Sequence, residues 1–92
     1  MLLRFSALRC REVINLCDGC RLGYVSDLDL DPECGRVQAI RVPIRGRFFG
    51  LLTSPGFYVI PWSCVRRLGE DLILVDVCLS EVRRGRERKS FL

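Results

Sequence analysis

Short apolar bursts separated by turn residues run along this chain, and their period is two rather than the ~3.6 of a helix. Glu12-Val13-Ile14-Asn15-Leu16 reads as a first strand, preceded by a helical turn at Ser6-Ala7-Leu8-Arg9 with Ser6 as its N-cap. Asp18-Gly19 turns the chain, because glycine reaches positive φ without a steric penalty. The run 21–31 follows as one strand. Its second half alternates strictly, Leu28 and Leu30 toward one side and Asp27, Asp29 and Asp31 toward the other.

Asp31-Pro32-Glu33-Cys34-Gly35 reads as a connecting turn, and 37–44 as the next strand. Arg45-Gly46 leads into a strand over 47–52, and Ser54-Pro55-Gly56 turns it into another over 57–60. Pro61 ends that strand's hydrogen bonding. The segment 63–69 is expected to make one helical turn, capped by Ser63 and stopped by Gly69. The last strand, 72–77, is so uniformly apolar that burial on both faces is expected.

About six short strands with turns roughly every 8–12 residues, and no helix long enough to cover a sheet, predict a small all-β sandwich or barrel. Closing the sheet also hides strand edges that would otherwise pair with other chains. Ninety-two residues suffice for one domain, here placed at 1–82, with 83–92 as a basic, flexible C-terminal tail. So short a chain buries only ~60–65% of its unfolded surface, so modest stability is expected without a metal, disulfides or self-association.

Charge changes the picture once it is located. The net charge is +4, and the segment 83–89 alone supplies it through Arg83, Arg84, Arg86, Arg88 and Lys89 against Glu87. The remaining ten bases and ten acids cancel, so the folded part is neutral, which weakens any reading of the fold itself as a nucleic-acid platform. Clustered arginines in a tail can still release counterions from a polyanion. No apolar run approaches the ~20 residues of a membrane span. Arg4, Arg9 and Arg11 interrupt any signal-peptide core, so a cytoplasmic location is expected. In a reducing compartment the six cysteines are expected to be free thiols, most of them packing as small hydrophobes.

Catalytic chemistry is hard to assemble. The chain has no histidine, which removes the usual general base near neutral pH and every His-dependent triad. No phosphate-cradling glycine motif is present, and neither a catalytic residue nor a cofactor is expected. The Asp27, Asp29 and Asp31 set fails as an EF-hand, because Pro32 stands where glycine is needed and Gln38 where a bidentate Glu belongs. Cys17 and Cys20 have half-zinc-site spacing with no second pair to complete it, so no metal is expected. A redox role for that pair needs a helix N-terminus to lower the thiol pKa, which a tight turn does not supply. Phe48, Phe49, Leu51 and Phe57 crowd the segment around Gly50 and Gly56. Strand alternation cannot put Phe48 and Phe49 on one face, so one aromatic is expected outside, as on a contact surface, the alternative being a bulge or barrel curvature that buries both. Trp62 is expected in the core rather than in a site.

Several segments, in order, resemble one family. They are Glu12-Val13-Ile14-Asn15, Asp18-Gly19 with Arg21-Leu22-Gly23, and Asp27 with Asp29-Leu30-Asp31. Phe48-Phe49-Gly50-Leu51, Tyr58-Val59-Ile60-Pro61-Trp62 and Leu68-Gly69-Glu70-Asp71 with Ile73-Leu74-Val75-Asp76 continue the set. Together they are similar to the YlmC/YmxH-type proteins of spore-forming bacteria, within the PRC-barrel superfamily. The resemblance implies a small, mostly antiparallel barrel that docks onto other proteins, as PRC barrels do in a photosynthetic reaction-centre subunit and a ribosome-maturation factor. It implies a link to sporulation and no catalysis. Cys17, Cys20 and the arginine-rich tail lie outside the family pattern. The expected partner is therefore a protein, a second copy in a homodimer included. The alternative is an RNA- or ribosome-associated accessory barrel that uses Arg83, Arg84, Arg86, Arg88 and Lys89.

Overall fold

The computed structural model describes residues 3–44 and 56–85. Among these residues the chain forms two four-stranded sheets wrapped around one apolar core. A one-turn helix, α1 (Phe5–Leu8), leads into β1 (Glu12–Asn15), which folds back as β2 (Arg21–Tyr24). Next come β3 (Asp27–Leu30), β4 (Val37–Pro43) and β5 (Phe57–Pro61), three antiparallel neighbours. A 3-10 turn, Trp62–Cys64, precedes β6 (Val65–Leu68) and β7 (Leu72–Val75). The short helix α2 (Leu79–Val82) and the two-residue β8 (Arg83–Arg84) end the described chain.

One sheet has the order β2-β1-β7-β6 and the other β3-β4-β5-β8. All pairs are antiparallel except β1 with β7, which run parallel. The all-β, mostly antiparallel expectation is met. Val13, Ile40, Val42, Ile60, Ile73 and Val75 are fully buried between the sheets, and Leu8, Leu22, Val25, Val77 and Val82 complete the core.

The run 21–31 is not one strand. Leu22 and Val25 are both buried, an odd spacing that a continuous period-two strand cannot satisfy on one face. The chain breaks at Val25-Ser26, and the Ser26 amide donates to the Arg41 carbonyl at 2.8 Å as the chain passes to the other sheet. Leu30 does not join Leu28 at the core. The β3–β4 register skips Gln38, and Leu30 is 58% exposed.

The segment 63–69 corrects a second expectation, for it holds the end of the 3-10 turn and then a strand. Ser63 makes no capping bond. The β-branched Val65 pairs with Val75, and ladder bonds to β7 override the local helix signals. Gly69 does not stop a helix; its amide donates to the Leu72 carbonyl at 2.8 Å and closes the β6–β7 hairpin. Likewise β7 buries one face only, with Leu72 exposed and Leu74 half-buried. α1 begins at Phe5 with Arg4 in the N-cap position, so Ser6 lies inside it and no side chain caps it.

Candidate partner-binding surface

The outer face of β3, β4 and β5 carries an interlocked polar-aromatic stripe. In antiparallel strands, residues two apart share a face and diagonal neighbours come within side-chain reach. Arg41 on β4 lies diagonal to Asp29 on β3 and to Phe57 on β5. Its Nε donates to Asp29 Oδ1 at 2.7 Å and its Nη2 to Oδ2 at 3.2 Å, a two-point carboxylate grip. The same guanidinium lies over the Phe57 ring, with Cζ 4.7 Å from its centroid. Phe57 is thereby fixed half-buried beneath a cation at the start of β5.

Phe57 stands between Pro43 and Arg84 in register, so it marks the end of the sheet where the β4–β5 connection leaves and returns. Ile44 donates to the Gly56 carbonyl at 3.0 Å at that exit. Phe48, Phe49 and Leu51 fall in that connection and lie outside the described residues. Gly56 lets β8 approach. Its φ of 125° is open to glycine, and a Cβ there would run into the Arg84 carbonyl.

Arg83 and Arg84 form β8 and pair with Tyr58 and Phe57, which makes them sheet residues. The Arg84 guanidinium turns back, donating to the Glu81 carbonyl at 2.9 Å and the Arg83 carbonyl at 3.0 Å. Arg86, Arg88 and Lys89 lie outside the described residues.

The three aspartates do not converge. Asp29 serves Arg41, Asp27 accepts from the Leu28 amide at 2.8 Å, and Asp31 accepts from the Glu33 amide at 2.9 Å. That amide bond, helped first by the Cys34 side chain and then by the Cys34 backbone and Gln38, holds the Asp31 carboxyl below its ordinary pKa against the opposing effect of desolvation. Among the described residues no group of three or more Cys, Asp or Glu side chains is placed to hold a metal.

All six cysteines are free thiols, but the expectation that most pack as small hydrophobes fails: five are exposed and Cys64 is half-buried. They fall mostly in turns, where the sheets leave nothing to cover them. Cys20 sits after the turn closed by Gly19 and is held by Asp18, whose carboxylate also accepts the Cys20 amide at 2.9 Å. Hydrogen bonding of the thiol to Asp18 pushes its pKa up, and slight desolvation and the same negative charge add to the effect. A raised thiol pKa means less thiolate and a slower nucleophile.

The feature that sequence reasoning missed is Asn15. Its side chain is 0% exposed, donating from Nδ2 to the Val77 carbonyl at 3.0 Å and accepting from the Val77 amide at 3.1 Å. Asn15 sits among the apolar residues of β1, and only its partner 62 positions away explains it.

A family model for the PRC-barrel domain matches residues 2–80, nearly all of this all-β chain. The chain belongs to the PRC-barrel domain family. Within it, the PRC barrel described here is 32% identical over 74 residues to the probable sporulation protein YlmC of Bacillus subtilis strain 168, covering 80% of this chain and 91% of that protein. It is 29% identical over 77 residues to YmxH of the same strain, named an uncharacterized protein, covering 82% and 89%. A third relative, an uncharacterized protein of Clostridium acetobutylicum, is 31% identical over 71 residues, covering 77% and 80%. No helix among the described residues of the PRC barrel is long and apolar enough to cross a membrane.

Proposed function

We propose that this PRC barrel is a non-catalytic protein-interaction domain acting in the cytoplasm during sporulation. The observation that carries the docking half is the Asp29–Arg41–Phe57 stripe, which holds an aromatic ring at the mouth of the β4–β5 connection. A ring locked by a stacked, carboxylate-gripped guanidinium loses little freedom on binding, the property that makes anchored aromatics and arginines strong contact residues. Phe48, Phe49 and Leu51, which lie outside the described residues, are proposed as further contact residues on sequence grounds alone. The sporulation half rests on the likeness to the relative named a probable sporulation protein.

The chain's lack of histidine, the separate engagement of its aspartates and the suppressed Cys20 thiol all weigh toward docking rather than chemistry. The partner is a protein, with a second copy of this chain included. Light scattering on the purified chain and partner capture with Phe57→Ser test the reading together. A monomer whose captured partners are unchanged by that substitution overturns it.

A further inference from the structure

A second surface lies toward the other end of β4, where Val37 stands about 20 Å along the strand from Pro43, the register partner of Phe57, at ~3.3 Å per residue. β6 and β3 are edge strands of their two sheets among the described residues. A cleft of about 330 Å³ is lined by Leu28 of β3, Leu68 of β6, Trp62 of the 3-10 turn and, at α1, Leu3, Phe5 and Leu8. Val37, at the start of β4, lines it too. Leu8, Leu28 and Trp62 belong to or pack on the core, so the cleft opens directly onto the apolar interior. Leu3, Phe5 and Leu68 remain 40%, 38% and 38% exposed around it.

Its charge has one sign. Arg4 is the charged residue lining the cleft, Arg9 lies over the Phe5 ring at 5.9 Å, and residues 3–11 contain three arginines and no acid. The two acids that flank Leu28 on β3, Asp27 and Asp29, belong to the other sheet face, and Asp29 is bound by Arg41.

We infer that this seam is a docking groove for an extended, acidic segment of a partner protein that inserts a leucine or aromatic side chain beside Trp62. Three observations select that occupant. Edge strands beside it favour an extended backbone, its mostly apolar lining takes a projecting side chain rather than a flat lipid surface, and Arg4 in the lining, with Arg9 over the adjoining Phe5 ring, complements acidic flanks. The inference rests on the docking-module reading but uses a different face from Phe57.

Trp62 is the only tryptophan in the chain and reports directly on the cleft. The full chain is used to select from phage-displayed random short peptides, and the winners are titrated while Trp62 emission is followed. The expected winners carry acids around one leucine or aromatic residue and give a saturable blue shift. Leu68→Glu and the pair Arg4→Glu with Arg9→Glu should each weaken binding about tenfold or more. Phe57→Ser should leave it unchanged, with folding of every variant checked by circular dichroism. Selection of basic peptides, no selection at all, or a Trp62 shift given by anionic vesicles but not by peptides overturns the groove. Peptides lost with Phe57→Ser but retained with Leu68→Glu also overturn it, while leaving the docking reading of the outer face standing.

Discussion

Asn15 and Val77 are joined by a two-point clamp in which the buried side-chain amide of one behaves as a strand partner for the backbone of the other. The clamp sits where β1 and β7 run out of ladder, just beyond the Leu16 amide bond to the Val75 carbonyl at 2.7 Å. The Asn15 Oδ1 also accepts from the Cys17 amide at 3.3 Å, and the Asn15 carbonyl accepts from Gly19 at 2.7 Å. One residue thus ties the parallel pair to the β1–β2 turn. Removing it leaves buried backbone groups of Val77 without partners, at a cost of about 1–3 kcal/mol each. Asn15→Ala should lower stability by about 2–4 kcal/mol, and urea melts followed by circular dichroism measure it. Asn15→Asp should cost as much, because it puts an acceptor against the Val77 carbonyl.

Arg41 couples Asp29 to Phe57, and the coupling is measurable. The Arg41 and Asp29 side chains are about one-third exposed, so solvent screens the pair. A double-mutant cycle on Asp29→Asn and Arg41→Met should give a coupling of about 0.5–1 kcal/mol in urea unfolding. The cycle on Arg41→Met and Phe57→Leu should give a similar value from the stacked ring. Coupling indistinguishable from zero in both cycles removes the rigid stripe.

Gly56→Ala should free β8. The substitution combines an unfavourable φ with a collision against the Arg84 carbonyl, a strain of about 1–3 kcal/mol that the two-residue β8 can relieve by detaching. Hydrogen exchange should then quicken around Arg83, Arg84 and Phe57 while Ile40 and Ile73 stay protected.

Asp18 should slow the chemistry of Cys20. Asp18→Asn removes both the carboxylate that accepts the thiol and its charge, so the Cys20 pKa falls and more thiolate is present at a given pH. Iodoacetamide should then modify Cys20 faster at mildly alkaline pH, with Cys34 as the internal standard. An unchanged rate contradicts the assignment.

The Asp31 turn carries its own pH signature. Because its folded pKa is lowered, the stability it adds is complete above the ordinary Asp value of ~3.9 and is lost as pH falls through the lowered one. An NMR titration of the Glu33 amide should show a midpoint below that ordinary value.

Much of the architecture was legible because period-two runs and glycine turns are local signals. β1, β4 and β5 appear where Val13, Ile40, Val42 and Ile60 place them, and the turns at Asp18-Gly19 and 31–35 follow. What failed depended on distant partners. Val65 is a strand residue because β7 lies beside it, and 21–31 splits because Leu22 and Val25 must both reach one core. α2, only four residues long, leaves no periodic trace. Of the proposed contact surface, Phe57 was legible as an aromatic at a turn, but the Arg41 stacked on it was not. That contact follows from β4–β5 register, which turn spacing alone does not determine.

The central claim is that this PRC barrel docks onto a protein partner through the Phe57 end of its outer face. Quantitative mass spectrometry of proteins captured by the full chain from a lysate of its own organism tests it most directly, run beside folded Phe57→Ser and Phe57→Tyr chains. The account predicts a discrete partner set that Phe57→Ser loses and Phe57→Tyr keeps. The same set captured by all three chains would contradict it.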